Sequence, residues 1–252
     1  MRIGVLSDIH GNLEALDAVL KDADSQDVTH FVCLGDFVGY NADPQECIDR
    51  MRSLPCLGSV QGNHDYVAAS RISPERFNPI AQKSALWTQK HLNESARSFL
   101  AGLPMTLRIQ IPEKDGADAF LIAHASMASA DSWPYLVNIP TVLACFREMP
   151  LERLCFVGHT HIPFLFALQD ETLHGGQLSE ELLLSDDAQY VINVGSVGQP
   201  RDGNPLASYG VYDTRSKTFF HRRVEYSLSD TQRKILDAGL PERCASRLAF
   251  GE

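Results

Sequence analysis

The sequence has no apolar run long enough to cross a bilayer, no C-x-x-C pair and no excess of basic residues. A spanning helix needs about 20 largely apolar residues, so a helical membrane protein is excluded. The 32 Asp and Glu residues outnumber the 22 Lys and Arg, and the net charge of -10 disfavours binding along an extended nucleic acid. Without C-x-x-C pairs, the six cysteines are typical of reduced core residues in a cytosolic protein.

What is present indicates a folded globular protein, with 44% hydrophobic and 21% charged residues. A length of 252 residues suffices for one large domain spanning 1–252. From about residue 229 the chain is expected to form a helical, peripheral tail. The opening segment, MRIGVLSDIHGN, has poor signal-peptide chemistry, and we therefore expect a cytoplasmic location.

The hydrophobic pattern alternates between strands and helices in the first third of the chain. Short apolar runs at 1–6, 30–34 and 56–60 predict strands, and helical periodicity separates them. This order favours parallel β-α-β units. Residues 78–103 are predicted to be helical with a break at 93–95, and the second half is richer in strands, with a turn predicted at Asp115-Gly116.

Polar side chains follow five of the apolar, strand-like runs. In open α/β sheets, ligands bind beyond the carboxyl ends of the strands, so these five segments should meet at one edge. The segments are D-I-H (8–10), G-D (35–36), G-N-H-D (62–65), the single His124 and G-H-T-H (158–161).

These residue types in this pattern favour a metal site. In an extended segment, D-x-H and H-x-H place both side chains on one face, and divalent metals bind imidazole mixed with carboxylate. Any one motif alone would more often be an exposed loop or a core histidine, and His124 by itself could be a buried histidine bonded to backbone. Five ordered motifs together favour metal binding. The absence of Cys among them argues against a structural zinc site.

The order of the five motifs resembles the calcineurin-like metallophosphoesterase superfamily. The segments GDFVGY and NVGSVGQPRDG further resemble its bacterial branch of small phosphoesterases. The resemblance implies an α/β fold in four layers, α/β/β/α, in which two mixed β-sheets are flanked by helices.

The resemblance also implies a dinuclear centre and a mechanism. Two divalent ions, with manganese expected and iron, zinc, nickel or cobalt compatible, would activate a bridging hydroxide for attack on phosphorus. His64 would stand beside the leaving oxygen as a catalytic residue. The implied ligands are Asp8, His10 and His161 for one ion, Asn63, His124 and His159 for the other, and Asp36 bridging both.

The sequence departs from the protein phosphatases of this superfamily at two positions. Gly39 and Tyr40 stand where those enzymes have an Asp that orients the catalytic histidine and an Arg that grips phosphate. The partner that orients His64 is therefore open, and adjacent Asp65 is a candidate if the loop turns sharply. Ala125 replaces the Gly that commonly follows the lone metal histidine, a small change.

Two residues are candidate substrate contacts. Arg201 lies in a Gly-rich loop that could bind phosphate oxygens, although Gly, Pro and Asn there could simply make turns. Asn12 could contact substrate or cap the helix that begins at Leu13. Trp133-Pro134-Tyr135 could form an aromatic cover over a base or a packed loop anchor.

The expected function is metal-dependent hydrolysis of a phosphodiester, or a phosphomonoester, of a small molecule or nucleotide. A dinucleoside polyphosphate hydrolase, a protein phosphatase and a nuclease share this chemistry. A non-catalytic interaction scaffold, such as the retromer subunit of this superfamily, is the alternative of another class. The complete motif set favours an enzyme, and we expect no membrane and no extended nucleic acid as partner.

Overall fold

A computed structural model describes residues 1–111, 119–149 and 151–252. Twelve strands in this part of the chain form two six-stranded mixed sheets, ordered β3-β2-β1-β11-β12-β9 and β4-β5-β6-β10-β7-β8. The strands are β1 (Arg2–Leu6), β2 (His30–Cys33), β3 (Cys56–Ser59), β4 (Thr106–Gln110), β5 (Ala119–Ala123), β6 (Leu154–Val157), β7 (Phe164–Gln169), β8 (Thr172–Gln177), β9 (Glu181–Leu183), β10 (Gln189–Asn193), β11 (Ala207–Asp213) and β12 (Thr218–Val224).

Helices flank the two sheets. Within the described residues they are α1 (Leu13–Ser25), α2 (Pro44–Arg52), α3 (Asn63–Ser70), α4 (Pro79–His91), α5 (Glu94–Ala101), α6 (Ile139–Arg147), α7 (Leu228–Asp237) and α8 (Glu242–Ser246). Short 3-10 turns lie at Ala130–Ser132 and Arg247–Phe250.

Three hydrophobic cores define the four layers. The central core packs one sheet on the other, with Ile3 and Val32 facing Ile122 and Phe156. A second core joins the first sheet to α1 and α2, and a third joins the second sheet to α6. The predicted α/β/β/α fold of two mixed sheets is therefore confirmed.

The parallel opening of the sequence is also confirmed. β1 pairs with β2, and β2 with β3, in parallel register. The predicted helical stretch at 78–103 is two helices, α4 and α5, because Asn93 caps the second by accepting a hydrogen bond from Ala96 N at 2.8 Å. Helix α3 and strands β8 and β9 were not predicted. The turn at Asp115-Gly116 lies outside the described residues.

The C-terminal tail is helical, as predicted, but the expectation that it is peripheral is wrong. Ile235, Leu240 and Leu248 are buried in one cluster with Tyr40, a residue of the polar loop after β2. Thr231 donates a hydrogen bond to Asn12 at 3.1 Å. The tail therefore packs directly behind the loops that carry the candidate ligands.

Five of the six free cysteines are buried, whereas Cys56 is exposed at the start of β3. The expectation of core cysteines is wrong for Cys56, because an apolar run can begin at the surface end of a strand. No helix of the described residues is long and apolar enough to cross a membrane.

Candidate metal centre

The candidate ligands meet where strands of both sheets end. Asp8 follows β1, Asp36 follows β2, Asn63 follows β3, His124 follows β5 and His159 follows β6. Hydrogen bonds between these loops hold them together: Asp8 N donates to Gly35 O at 3.0 Å, and His159 N donates to the Asp8 carboxylate at 3.0 Å. The predicted edge of polar residues is therefore assembled from the facing ends of two sheets.

Asp8, His10 and His161 form one buried group. His10 Nε2 lies 3.1 Å from His161 Nε2, and Asp8 Oδ1 lies 3.2 Å from the same His161 nitrogen. Oδ1 has no hydrogen-bond partner among the described residues, although Oδ2 accepts a hydrogen bond from Ser7 Oγ at 2.6 Å. One carboxylate oxygen is thus held by the protein and the other is left for a ligand.

Asn63, His124 and His159 meet on the other side of Asp36. His124 Nε2 lies 3.2 Å from Asn63 Oδ1 and 3.2 Å from His159 Nδ1. His124, His159 and Asp36 form a second buried group of potential metal ligands. The seven residues implied as ligands by the sequence motifs are therefore gathered in two adjoining groups.

Asp36 lies between the two groups. Its Oδ2 is 3.6 Å from His10 Nε2 in the first group and 3.4 Å from His124 Nε2 in the second. Its Oδ1 accepts the His64 backbone N–H at 2.9 Å, which fixes the carboxylate. The Asp36 carboxylate is therefore within reach of both groups.

Backbone carbonyls fix three of the imidazole rings. The Nδ1 atoms of His10, His124 and His161 lie 2.8, 2.8 and 2.6 Å from the carbonyl oxygens of Val38, Leu34 and Gln199. An Nδ1–H bonded to a carbonyl leaves the lone pair on Nε2, which in each ring faces the centre of the cluster. The Gly-rich loop that contains Gln199 therefore serves the site through its backbone.

Five of these residues have a strained backbone. Asp8, His10, Asp36, His159 and His161 all have φ between 50 and 66°, the left-handed region that non-glycine residues seldom adopt. Such conformations cost about 1–3 kcal/mol each and persist where the surroundings enforce them, typically at functional sites. The loops are therefore built to aim side chains, at a cost in stability.

The electrostatics of the cluster favour the metal-binding forms of Asp8, His10, His159 and His161. Burial lowers the pKa of His10 and His161, and burial with the neighbouring His124 lowers that of His159 to about 3. Burial opposes ionisation of Asp8, yet His161 and His124 hold its pKa below the usual range. His124 differs, because Asp36 and Asp8 outweigh burial and raise its pKa to about 9.

The donor set fits divalent metal ions. Metal–nitrogen bonds of about 2.0–2.1 Å place neighbouring ligand atoms roughly 3–3.4 Å apart. The contacts of His161 with His10 and Asp8, and of His124 with Asn63 and His159, are 3.1–3.2 Å, whereas His10 Nε2 and Asp8 Oδ1 are 3.8 Å apart. Asp36 and Asp8 favour a positive charge on His124, a charge that a metal cation would supply in place of the proton, and Asp8 Oδ1 has no other partner in the described chain. Mixed imidazole, carboxylate and amide ligands suit manganese, iron, zinc, nickel and cobalt alike.

His64 stands in the first turn of α3, at the wall of the cluster. Its ring lies 4.5 Å from Phe77, 4.7 Å from Tyr40 and 5.0 Å from His10, measured between centroids. Its buried Nδ1 has no hydrogen-bond partner among the described residues. His64 also forms a possible ligand group with His10 and Asp36. The aromatic packing shown here, rather than a carboxylate, holds the ring.

Asp65 does not face His64 in the way expected of an orienting residue. Its carboxylate accepts hydrogen bonds from the backbone N–H groups of Asp36 at 2.7 Å, Gly62 at 3.1 Å and Val38 at 3.3 Å. In place of the predicted catalytic role, the geometry gives Asp65 the task of holding the loop that carries Asp36.

The His64 ring packs directly against the backbone of Gly39, where no side chain would fit. Gly39 has φ of +100°, and a Cβ there would lie 2.5 Å from His64 Nδ1 and 3.3 Å from His10 Nδ1. Gly39→Ala should therefore displace His64, reduce turnover of a phosphate ester about tenfold or more and lower the free energy of unfolding by about 1–3 kcal/mol. Steady-state kinetics and urea unfolding measure both effects.

Gly203→Ala is the matched control, because Gly203 also has a positive φ, +79°, but open space around its Cβ position. It should lower stability comparably and leave turnover unchanged. Wild-type turnover in Gly39→Ala would contradict the proposed closeness of this backbone to His64.

A cavity of about 240 Å³ opens onto the cluster. The guanidinium of Arg201 lies 5.6 Å from the centroid of the Tyr40 ring and donates to Gln199 Oε1 at 2.9 Å, while its Nε has no partner among the described residues. The lining includes Asp36, Asn63, His64, His159, His161, Tyr40, Tyr135, Arg76, Phe77, Asn78, Ala81 and Arg201.

Other expected contacts differ in outcome. Asn12 is fully buried away from the cavity lining: it caps α1 through Ala15 N at 3.1 Å and donates to Gly198 O at 3.0 Å. The capping interpretation is thus confirmed, and the expected contact of Asn12 with substrate does not fit this position.

The aromatic segment 133–135 divides between two places. Tyr135 lines the cavity and stacks on His159 at 4.3 Å, while Trp133 packs on Tyr66 at 5.5 Å. Arg76 and Phe77 were missed because they belong to no motif.

The sandwich fold and the buried His/Asp cluster define a phosphoesterase-type metal site. The chain belongs to the calcineurin-like phosphoesterase superfamily, whose domain model matches residues 1–217. It is 39% identical over 250 residues to an uncharacterised protein of Methanocaldococcus jannaschii, covering 99% of this chain and 98% of that protein.

Solved structures agree with this assignment. A metallophosphoesterase from Sphaerobacter thermophilus is 37% identical, with a TM-score of 0.81 over 100% of this chain and 99% of that one. A hypothetical protein from Pyrococcus horikoshii OT3 shares the fold at 19% identity, with a TM-score of 0.78 over 100% of this chain and 98% of that one.

Proposed function

We propose that the protein hydrolyses a phosphate ester of a small molecule or nucleotide with two divalent metal ions, manganese being the first candidate. The observation that carries the proposal is the position of Asp36 between two buried ligand groups at the floor of the cavity. Asp8, His10 and His161 would hold one ion, Asn63, His124 and His159 the other, with Asp36 shared. Such a pair supplies Lewis-acid polarisation of the phosphoryl group and an activated water.

The chain's own residues would bind and orient the ester. Arg201 would donate hydrogen bonds to phosphoryl oxygens, since its guanidinium lines the cavity and forms no ion pair with a carboxylate of the described residues. Gln199 and the Tyr40 ring would hold that guanidinium in place. Arg201 thus offers the phosphate contact that is missing at position 40, and such a contact would serve a phosphomonoester as well as a phosphodiester.

His64 would act on the leaving oxygen. Burial lowers its pKa to about 4, so the ring is neutral near pH 7 and keeps one N–H. That N–H can donate to the leaving oxygen and stabilise the negative charge that develops there. Phe77 and Tyr40, which pack on the ring, would exclude water from this side of the ester.

The cavity supports a small substrate rather than an extended nucleic acid or a protein scaffold role. Its volume of about 240 Å³ accommodates a phosphoryl group with a compact leaving group. A scaffold would not need strained ligand loops or an arginine held without a carboxylate partner at the cavity. The net charge of -10 also opposes a long polyanion.

The test is hydrolysis of bis-p-nitrophenyl phosphate and p-nitrophenyl phosphate by metal-stripped protein, with Mn, Fe, Zn, Ni, Co and Mg restored singly. We expect no turnover without metal and recovery with at least one transition metal. The faster ester identifies the ester type. Turnover that survives metal removal would contradict the proposal, and so would two bound ions with no hydrolysis of any ester in a broader nucleotide panel.

A further inference from the structure

Arg76 is a second arginine at the cavity, in addition to Arg201. It lines the cavity beside Phe77, and the Phe77 ring packs on His64 at 4.5 Å. Arg76 therefore stands at the end of the cavity where His64 would meet the leaving oxygen. Arg201 enters the cavity from the loop after β10, where its backbone N–H donates to His161 O at 3.2 Å, and its guanidinium lies 5.6 Å from the centroid of the Tyr40 ring.

Most other arginines are neutralised. Nine of those in the described residues lie within 4.0 Å of a carboxylate, whereas neither Arg76 nor Arg201 forms such a pair. In a chain of net charge -10, two arginines with no carboxylate within 4.0 Å among the described residues therefore line the same cavity. A cation left without an internal partner at a cavity mouth remains available to an anionic ligand.

The segment that carries Arg76 is anchored. The Gln82 side chain donates to the carbonyl oxygens on either side of Arg76, at 2.7 Å to Phe77 O and 3.4 Å to Glu75 O. Asn78 caps α4 by accepting from Ile80 N and Ala81 N at 3.1 and 3.0 Å. The backbone of Arg76 is thus fixed relative to the cavity, while its exposed side chain can reach into it.

We propose that Arg76 binds a second anionic group of the substrate, carried by the leaving portion beside His64. The preferred substrates are then phosphate esters or anhydrides whose leaving group bears a carboxylate or a further phosphate. This inference rests on the proposed phosphoesterase function. The scissile phosphoryl group is served by the ligand groups and Arg201, so Arg76 distinguishes leaving groups by charge.

The experiment compares two leaving groups of similar size and shape, one with a carboxylate and one with a neutral carboxamide, and the comparison of each variant with wild type removes their difference in intrinsic reactivity. The substrates are 4-carboxyphenyl phosphate and 4-carbamoylphenyl phosphate, or their methyl diesters if the protein prefers diesters. We expect wild-type kcat/KM to favour the carboxylate about three- to tenfold, as for a partly exposed charge-assisted contact of about 1 kcal/mol. In Arg76→Gln the ratio should fall to within about twofold of unity.

The matched control is Arg71→Gln, which removes the same charge from an arginine paired with Glu94 on the surface, outside the cavity lining. It should keep the wild-type ratio. A wild-type ratio near unity, or a ratio that Arg76→Gln leaves unchanged, overturns the inference.

A binding measurement separates this inference from the proposed reaction. Titration calorimetry of Mn-loaded protein with 4-carboxybenzylphosphonate and its 4-carbamoyl analogue, which cannot be hydrolysed, should show the same preference and its loss in Arg76→Gln. If no ester is hydrolysed yet this preference is present, the reaction is wrong and the anion site stands. If esters are hydrolysed and both phosphonates bind alike, the anion site is wrong.

Discussion

Asp36→Asn should reduce kcat/KM for a phosphate ester about a thousandfold or more. The substitution removes the Asp36 carboxylate, which lies between the two ligand groups, 3.6 Å from His10 Nε2 and 3.4 Å from His124 Nε2. Loss of a shared metal ligand removes several kcal/mol of transition-state stabilisation, and about 4 kcal/mol corresponds to a thousandfold. Steady-state kinetics with saturating metal measures the loss, and elemental analysis should show fewer than two ions per chain.

The fold should survive this change. An asparagine Oδ1 can still accept the His64 backbone N–H, as Asp36 Oδ1 does at 2.9 Å. Asp17→Asn is the control, because Asp17 is a half-exposed residue paired with Arg50 and its loss leaves the site untouched. Near-wild-type kinetics in a folded Asp36→Asn protein would contradict the proposal that Asp36 is a ligand shared by two metal ions.

His64→Gln should reduce kcat about 10²- to 10³-fold while both ions remain bound. The reason is loss of the N–H that stabilises charge on the leaving oxygen. Because burial lowers the pKa of His64 to about 4, the neutral donor is already complete at about pH 6. The contribution of His64, taken as the wild-type to variant ratio of kcat, should therefore stay constant from about pH 6 to 8.

Two outcomes would change the role of His64. A ratio that declines as pH rises through this range would mean that the charged imidazolium is the active form. A loss of bound metal in His64→Gln would make His64 a ligand, as its grouping with His10 and Asp36 also allows. His91→Gln is the control, since His91 is an exposed histidine stacked on Trp87 at 3.8 Å, outside the cavity lining.

Much of the site could be predicted because its ligands follow strands. Asp8, Asp36 and His159 each come shortly after a short apolar run, and the rule that parallel strands end at a common edge places them together. The order of the five motifs resembles the calcineurin-like metallophosphoesterase superfamily, and the second sheet was predicted from that resemblance. The seven candidate ligands do lie together in two groups, and Asp36 is within 4.0 Å of a histidine of each.

The geometry of the loops could not be predicted. Nothing in the letters D-I-H or G-H-T-H indicates that Asp8, His10, His159 and His161 adopt a left-handed backbone. That conformation is enforced by contacts between segments far apart in the sequence, such as the bond from Gly198 N to Asp8 O at 2.9 Å. Local pattern does not contain such contacts.

The role of Asp65 was misjudged for a related reason. Adjacency in sequence suggested action on His64, yet neighbouring residues of a helix point in different directions. Asp65 turns inward to three backbone N–H groups while His64 faces the cavity. The start of helix α3 at Asn63 was not predicted. The segment GNHD was interpreted as a ligand motif, so Gly62 was not considered as the N-cap of a helix.

The substrate-binding residues were the least predictable part. Arg201 lies in a motif, but Arg76 is one of many surface arginines in the sequence and only the fold brings it to the cavity. The same holds for the C-terminal tail, whose Leu240 and Leu248 bury against Tyr40. Such long-range contacts depend on the complete fold rather than on local periodicity.

The most direct test of the central claim is an anomalous-difference map from crystals of the protein loaded with manganese. We expect two peaks at the floor of the cavity, one beside Asp8, His10 and His161 and one beside Asn63, His124 and His159, both in contact with the Asp36 carboxylate. A single peak, a peak away from these residues, or no peak at saturating manganese, zinc or iron would contradict a dinuclear centre and the hydrolysis proposed to depend on it.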